Sequence, residues 1–543
     1  MASQTANKIK KTVIFFLTVV FALLVYEKLD YLFYNAEDYA RKENIDRLSE
    51  VLEDIHQNYV DTVDWNKSVD GAINGLLDKL DPHSVYIDKK EVQRNEENFK
   101  GRYYGIGIQF DVLEGYITVI SVIPGSPSEQ VGLQPGDLIT EIEGKSAHNI
   151  KRDDVPLKLK GEKGTKVTVT IKREGIAQPF QVTITRGEIP IFALNTYFMQ
   201  DDSSGYIWVN RFAGTTTSEL EEALEELESR GMKRLVLDLR GNGGGYLREA
   251  VTVAGTFLSG HKLVVYTRGR NSRNNEEYYT DTFGRLHSRK YPLIVLIDYG
   301  SASASEIVAG ALQDYDRAII AGKNSFGKGL VQNEFPLNNG ARLRLTVAKY
   351  YTPSGRIIQK PYKGKSKNEY YNEIMGEDSS KSAEADSIHE TLIYHTKGGR
   401  IVYGGGGIKP DIEIPYKRPY TSPAVIQKLL QKRIFFEVGS AFANKHHKWK
   451  NSFDKFFREF KVNRELFNKV YEQAKLREIK ITPKELKKND IFIKNRIKAE
   501  IARSLWGMER YWQIELQGDT QFLNAFGYFS KAKNIMKLIA QEQ

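Results

Sequence analysis

"LIVLIDYGSASASEIVAGALQD", Leu293 to Asp314, decides the fold. The apolar run Leu293–Ile297 reads as a strand buried on both faces, the kind found in parallel sheets. The chain turns at Asp298-Tyr299-Gly300 and continues as a helix from Glu306. Strand, tight turn and helix predict a crossover α/β core, which places its sites at the carboxyl ends of the strands. The turn carries Ser301, Ser303 and Ser305, separated by alanines. A hydroxyl at a helix start meets free amide donors and the positive end of the helix dipole. On position alone, any of the three could be a nucleophile.

A second apolar strand, "RLVLDLR", runs directly into Gly241-Asn242-Gly243-Gly244-Gly245. The spacing fits neither phosphate-binding loop, GxxxxGK[ST] or GxGxxG with a distant acid. Such glycines instead expose backbone N–H groups to a developing oxyanion. A serine needs a base. None of the nine histidines lies in a comparable glycine-rich turn. His83 sits alone in "LDPHSVYI" and reads as structural or capping. A desolvated lysine can replace histidine. The candidate is Lys328 in "SFGKGLVQ", between Gly327 and Gly329 and after the apolar strand "AIIAG".

Working outward, "GYIWVNRF" predicts a strand, and "SELEEALEELESRG" an amphipathic helix opening with the capping-box pair Ser218 and Glu221. Residues 361–390 read as a polar insertion, and "GGGGIKPDIEI" closes the core. Upstream, Ile117–Val122, Leu138–Ile142 and "TKVTVTIKRE" read as strands, with a short helix near Arg152–Lys160, in a β-rich module of about 85 residues. Before it, Ile45, Leu48, Val51, Leu52 and Ile55 form a helical apolar stripe.

"YYGIGIQF" followed by "GSPSEQVGLQPGDLITEIEG" resembles a PDZ domain. The resemblance implies that Gly105, Ile106, Gly107 and Ile108 present amides to a peptide's terminal carboxylate, while the peptide adds as a strand. Behind it, "LVLDLRGNGGG", the serine turn through "SFGKGLVQ", "YYTPSGRIIQ" and "GGGGIKPDI" occur in one order. Over about residues 40–415 the chain resembles the carboxy-terminal processing (tail-specific) protease family, which uses a Ser–Lys dyad. The family's 25-position spacing from nucleophile to lysine makes Ser303 the nucleophile and Lys328 the general base. Gln332 matches the glutamine that orients the lysine. Ala304 and Gly244 would donate to the oxyanion, and Asp314 is supporting. Ser301 and Ser305 are expected to bond locally. Lys160 in "LKLKG" stands where the family often has a gating arginine, keeping the charge but not the bidentate fork.

Residue patterns and resemblance together predict a multidomain α+β chain: from the patterns, a signal-anchor over 1–35, a helical region over 36–99 and a basic helical region over 417–543, which lies outside the resemblance; from the resemblance, the PDZ module over 100–187 and a crotonase- or ClpP-like α/β protease core over 188–416. A non-catalytic peptide-holding scaffold is the alternative, and a crotonase-like acyl-transfer enzyme a further one. No metal or organic cofactor is implied.

The 543 residues, 41% apolar and 27% charged, suit several folded domains. The absence of cysteine excludes disulfides and thiol catalysis. From Lys417 onward 27 Lys and Arg face 13 Asp and Glu, while the rest of the chain is slightly acidic. That basic region reads as a solvated helical face, open to lipid, a partner or self-association, and nucleic acid is not expected. Lys8, Lys10 and Lys11 precede the apolar run Thr12–Tyr26, with no small-x-small cleavage site after it. These features predict an uncleaved signal-anchor and an exported enzyme in a bacterial periplasm or cell envelope, secreted if the segment is cut. The expected partners are proteins with apolar C-terminal tails, the membrane, and a second copy of the chain.

Overall fold

The computed structural model describes residues 18–19, 36–284, 287–375 and 392–542. The predicted anchor therefore lies almost entirely outside the described residues. Among the described residues no helix is long and apolar enough to cross a membrane. The chain divides between Leu76 and Leu77 into two units. The first contains the Ala36–Asn58 helix, whose Ile45, Leu48 and Val51 are about half exposed.

In the second unit, two sheets form the core around the serine turn. The main sheet has six strands. Leu194–Met199 pairs antiparallel with Ser204–Val209, and Arg234–Asp238, Leu293–Ile297, Ile319–Gly322 and Ile412–Glu413 follow in parallel. Leu293–Ile297 is wholly buried, as its unbroken apolar run requires. Helices Thr216–Ser229, Leu247–Gly255 and Ala304–Asp314 pack on one face. The first begins earlier than its sequence suggests. Thr215 is the N-cap, and the exposed Ser218 hydroxyl donates back to the Thr215 carbonyl. The other face is covered by the end of the chain: Phe198, Tyr206 and Leu296 pack against Leu516, Phe522 and Phe529. The basic C-terminal region thus supplies a layer of the core as well as its own helical cluster around Phe435, Phe456 and Ile497.

The second sheet centres on the long strand Arg342–Tyr351, paired with Leu330–Pro336 and Leu263–Arg268. Its other partner comes from far upstream: Val85–Ile87, from "LDPHSVYI", pairs with Arg342–Arg344. The PDZ module forms its own sheet, with strand Ile108–Leu113 at one edge and helix Val155–Leu159 beside it.

Candidate active site

The serine turn works because its two outer hydroxyls are committed elsewhere. Ser301 Oγ donates to the Leu239 carbonyl at 2.8 Å, and Ser305 Oγ donates to the Asn242 carbonyl at 2.8 Å. Both bonds stitch the serine turn to the glycine turn. Ser303 is left facing the cavity, with φ 54° and ψ −111° at the N-cap of the Ala304–Asp314 helix. A side-chain residue in that region is strained, and such strain collects at functional sites.

Gly244 packs directly against this turn. A Cβ there would lie 2.8 Å from the Ala302 carbonyl oxygen and 2.8 Å from Ser303 Cβ, at a φ of +99°. Its N–H donates to Asn242 Oδ1 at 2.9 Å, so it would have to leave that side chain to serve an oxyanion. Ala304 opens the helix, where N–H groups have no intrahelical acceptor.

Glu306, which the sequence reading passed over, holds the two turns together. It is fully buried. Its carboxylate accepts from the Ser303 N–H (2.8 Å), the Lys328 N–H (2.9 Å), the Gly327 N–H (2.7 Å) and the Ser325 hydroxyl (2.6 Å). Burial pushes its pKa up, and these donors oppose the shift. The spacing Ser303-x-x-Glu306 was a legible signal, being that of a capping box. Tyr350 adds a second tie, its hydroxyl lying between the Ser303 carbonyl (3.1 Å) and the Lys328 carbonyl.

Lys328 and Ser303 line one cavity of about 540 Å³, together with Gly244, Ala304 and Gln332. Burial, and then the nearby Arg344 charge, hold the Lys328 ammonium down to about 8. No hydrogen bond joins Ser303 Oγ to Lys328 Nζ among the described residues. Gln332 Nε2 donates to the His83 carbonyl at 2.6 Å rather than to the lysine. His83 is buried, and burial, then the Lys328 charge, lower its pKa to about 4. The structure therefore gives this histidine a positioning part through its backbone. Asp81 fixes that segment by accepting from the His83 and Ser84 N–H groups, both at 2.9 Å. The cavity wall carries an ionic network: Glu334 pairs with Arg344 (2.7 Å) and Arg342 (2.9 Å), and Arg342 also pairs with Glu96.

Asp314 lies outside the cavity. It forms a buried ion pair with Arg356 at 2.8 Å and accepts from the Ser354 N–H at 2.9 Å. Its place is structural, anchoring the "PSGR" turn. In the PDZ module, Gly105 ends the Arg102–Gly105 strand, while Ile106 and Ile108 anchor in the module's core. Gly107 needs its glycine. Its φ is +83°, and a Cβ would come within 2.2 Å of Ser126 Cβ. Lys160 follows the Val155–Leu159 helix, pairs with Glu97 and lies over the Tyr103 ring at 4.4 Å. Glu97 belongs to the Lys89–Lys100 helix, which also lines the cavity.

A serine facing a cavity from a strained helix start, a buried lysine in the same cavity and a PDZ-like module on a crossover α/β core fit a serine-hydrolase class. Family models agree. Peptidase family S41 matches residues 203–364, a PDZ domain matches 105–184, and the activating protease CtpB N-terminal domain matches 27–91. A family of unknown function matches 425–507. The carboxy-terminal-processing protease of Bartonella bacilliformis is 40% identical over 58% of this chain and 72% of its own length. The carboxy-terminal processing protease CtpB of Bacillus subtilis is 36% identical over 60% of this chain and 67% of its own. A solved photosystem II D1 C-terminal processing protease is 28% identical, covering 57% of this chain and 83% of its own, with a TM-score of 0.33. The chain belongs to the carboxy-terminal processing protease family of serine peptidases, which sets aside the scaffold and acyl-transfer readings.

Proposed function

We propose that this enzyme captures the free apolar C-terminus of a protein on its PDZ module and cleaves the chain by a Ser303–Lys328 dyad. The observation that carries this reading is the cavity that Ser303 and Lys328 share, with one buried carboxylate, Glu306, tying the backbones of both residues. The tail would add to the open edge of Ile108–Leu113, with its carboxylate at the Gly105–Ile108 amides. Neutral Lys328 takes the proton from Ser303 Oγ as that oxygen attacks the scissile carbonyl. The Ala304 N–H, and that of Gly244 once released from Asn242, stabilise the oxyanion. The lysine then returns its proton to the leaving amine, and water hydrolyses the acyl-enzyme. For the reaction, Ser303 and Lys328 must close to hydrogen-bond distance, and Gln332 must turn toward the lysine. Lys160, through Glu97 and the cavity-lining helix, is the link by which tail binding would favour that change. The enzyme would act outside the cytoplasm, held by its N-terminal segment. The exposed stripe of the Ala36–Asn58 helix would suit a second copy.

The test is proteolysis by the full chain in detergent, using an unstructured substrate with an apolar tail beside the same substrate ending in two aspartates. Wild type should cleave the apolar-tailed substrate faster, and Ser303→Ala and Lys328→Ala should cleave neither. Cleavage surviving Ser303→Ala would refute the nucleophile assignment.

A further inference from the structure

Three consecutive amides hold the turn that carries Lys328. Those of Gly327 and Lys328 donate to Glu306, which ties them to Ser303. The Gly329 N–H instead donates to Gln359 Oε1 at 2.9 Å. A Cβ at Gly329 would lie 2.8 Å from the Gln359 backbone nitrogen, so the two segments are in close contact. Gln359 Nε2 donates to the Lys360 carbonyl at 2.8 Å and to Tyr370 Oη at 3.2 Å. Tyr370 Oη in turn lies 3.2 Å from His83 Nε2. All three side chains are buried.

Tyr370 comes from the polar insertion. Its helix, Lys367–Met375, packs against the "LDPHSVYI" segment: Tyr371 Oη donates to the Pro82 carbonyl at 3.3 Å, and Lys367 pairs with Asp78. The His83 ring sits among Phe326, Tyr370 and Tyr371, with ring centroids 6.0, 5.5 and 6.3 Å away. The charges that face it are Lys328, Asp81 and Lys367.

The Gly329 N–H sets the direction of these bonds. It needs an acceptor, so the Gln359 amide oxygen faces it and the amide nitrogen faces Tyr370. Tyr370 Oη then accepts from Gln359, and its own proton goes to His83 Nε2. Nε2 is therefore bare, and the neutral ring carries its proton on Nδ1. His83 is thus bonded toward the lysine at both ends, through its ring to Gly329 and through its carbonyl to Gln332. We propose that His83 is a positioning residue for the general base: its ring, through Tyr370 and Gln359, fixes the Gly329 amide and with it the turn that aims Lys328 at Ser303. The polar insertion thereby forms part of the active-site support. The ring bond matters most in the reaction itself. When Gln332 leaves the His83 carbonyl to face the lysine, Tyr370 still holds the ring and Asp81 still holds the His83 N–H. The proposal rests on Lys328 acting as the base.

The experiment is hydrolysis of a quenched fluorescent peptide with an apolar tail by the full chain in detergent, from pH 5.5 to 9.5. Tyr370→Phe removes one oxygen, and His83→Phe keeps an aromatic ring without the acceptor. His83, Tyr370 and Gln359 lie behind the cavity rather than in its lining, so KM should hold while kcat falls. One lost hydrogen bond corresponds to a fall of about five- to tenfold in each variant. A looser turn admits water to the amine, so the bend in the pH profile should rise from near 8 by about half a pH unit or more. The double variant should be no worse than either single one, because both break the same chain of bonds. His83→Gln, which offers an oxygen where Nε2 stood, should recover most of the rate. Full rate and an unmoved bend in both single variants would overturn the proposal. So would losses that multiply in the double variant, or a fall in kcat with the bend still near 8, the mark of a smaller folded fraction. A wild-type profile without a bend near 8 would refute Lys328 as the base, and the positioning role with it.

Discussion

Cleavage should follow the protonation of Lys328. A lysine at its ordinary value of about 10.4 is neutral in roughly one molecule in 2,500 at pH 7. Burial and the Arg344 charge lower Lys328 to about 8, where roughly one molecule in eleven is neutral at pH 7. The fold thus raises the supply of free base at neutral pH by about two hundredfold. The sign follows from the chemistry. In the proposed reaction the active form is the neutral amine, so kcat/KM should climb about tenfold per pH unit below 7, bend near 8 and level off above it. The assay is hydrolysis of a quenched fluorescent peptide with an apolar tail, from pH 5.5 to 9.5 at constant ionic strength. The perturbation is Arg344→Gln. Removing that positive neighbour makes the ammonium easier to keep, so the bend should move to higher pH. The rate at pH 7 should fall and the plateau should stay. Glu334 keeps Arg342 as a partner at 2.9 Å, so the wall should survive. A bend near 6.5 would point to an imidazole and refute the assignment. His83 cannot supply it, because it is already neutral above about 4. A flat profile would refute Lys328 as the base altogether.

Other expectations concern packing as much as chemistry. Glu306→Ala strands three N–H donors and a hydroxyl in a buried site, so it should cost on the order of 3–5 kcal/mol, read by denaturant unfolding, and abolish cleavage. Glu306→Gln should fold better but remain poorly active, because an amide cannot accept from all four donors. Asp314→Ala leaves the Arg356 guanidinium buried without its partner and should cost about 3–5 kcal/mol, while Asp314→Ala with Arg356→Met should recover much of it. Gly107→Ala meets Ser126 and a positive φ, so it should lose tail binding in anisotropy while short tail-less peptides are still cleaved at the basal rate.

The sequence by itself determined the elements and the residue types of the site. Leu293–Ile297 is apolar at every position, and only a strand covered on both faces satisfies such a run. Ser303 and Lys328 were legible because each sits in a glycine- or alanine-rich turn after such a strand, in an order shared with a known family. The order of residues could not say what each side chain would touch. Gln332 meets the carbonyl of His83, 249 positions away, because Val85–Ile87 pairs with the strand beside it. Asp314 faces away from the cavity because its helix turns it toward Arg356. The basic C-terminal charge says nothing of Phe522 and Phe529 closing the back of the main sheet, or of Arg433 reaching Asp111. Local pattern fixes periodicity and turn chemistry, since these depend on neighbours a few residues apart. Contacts between distant segments depend on how the layers close over one another, and only the tertiary structure decides that.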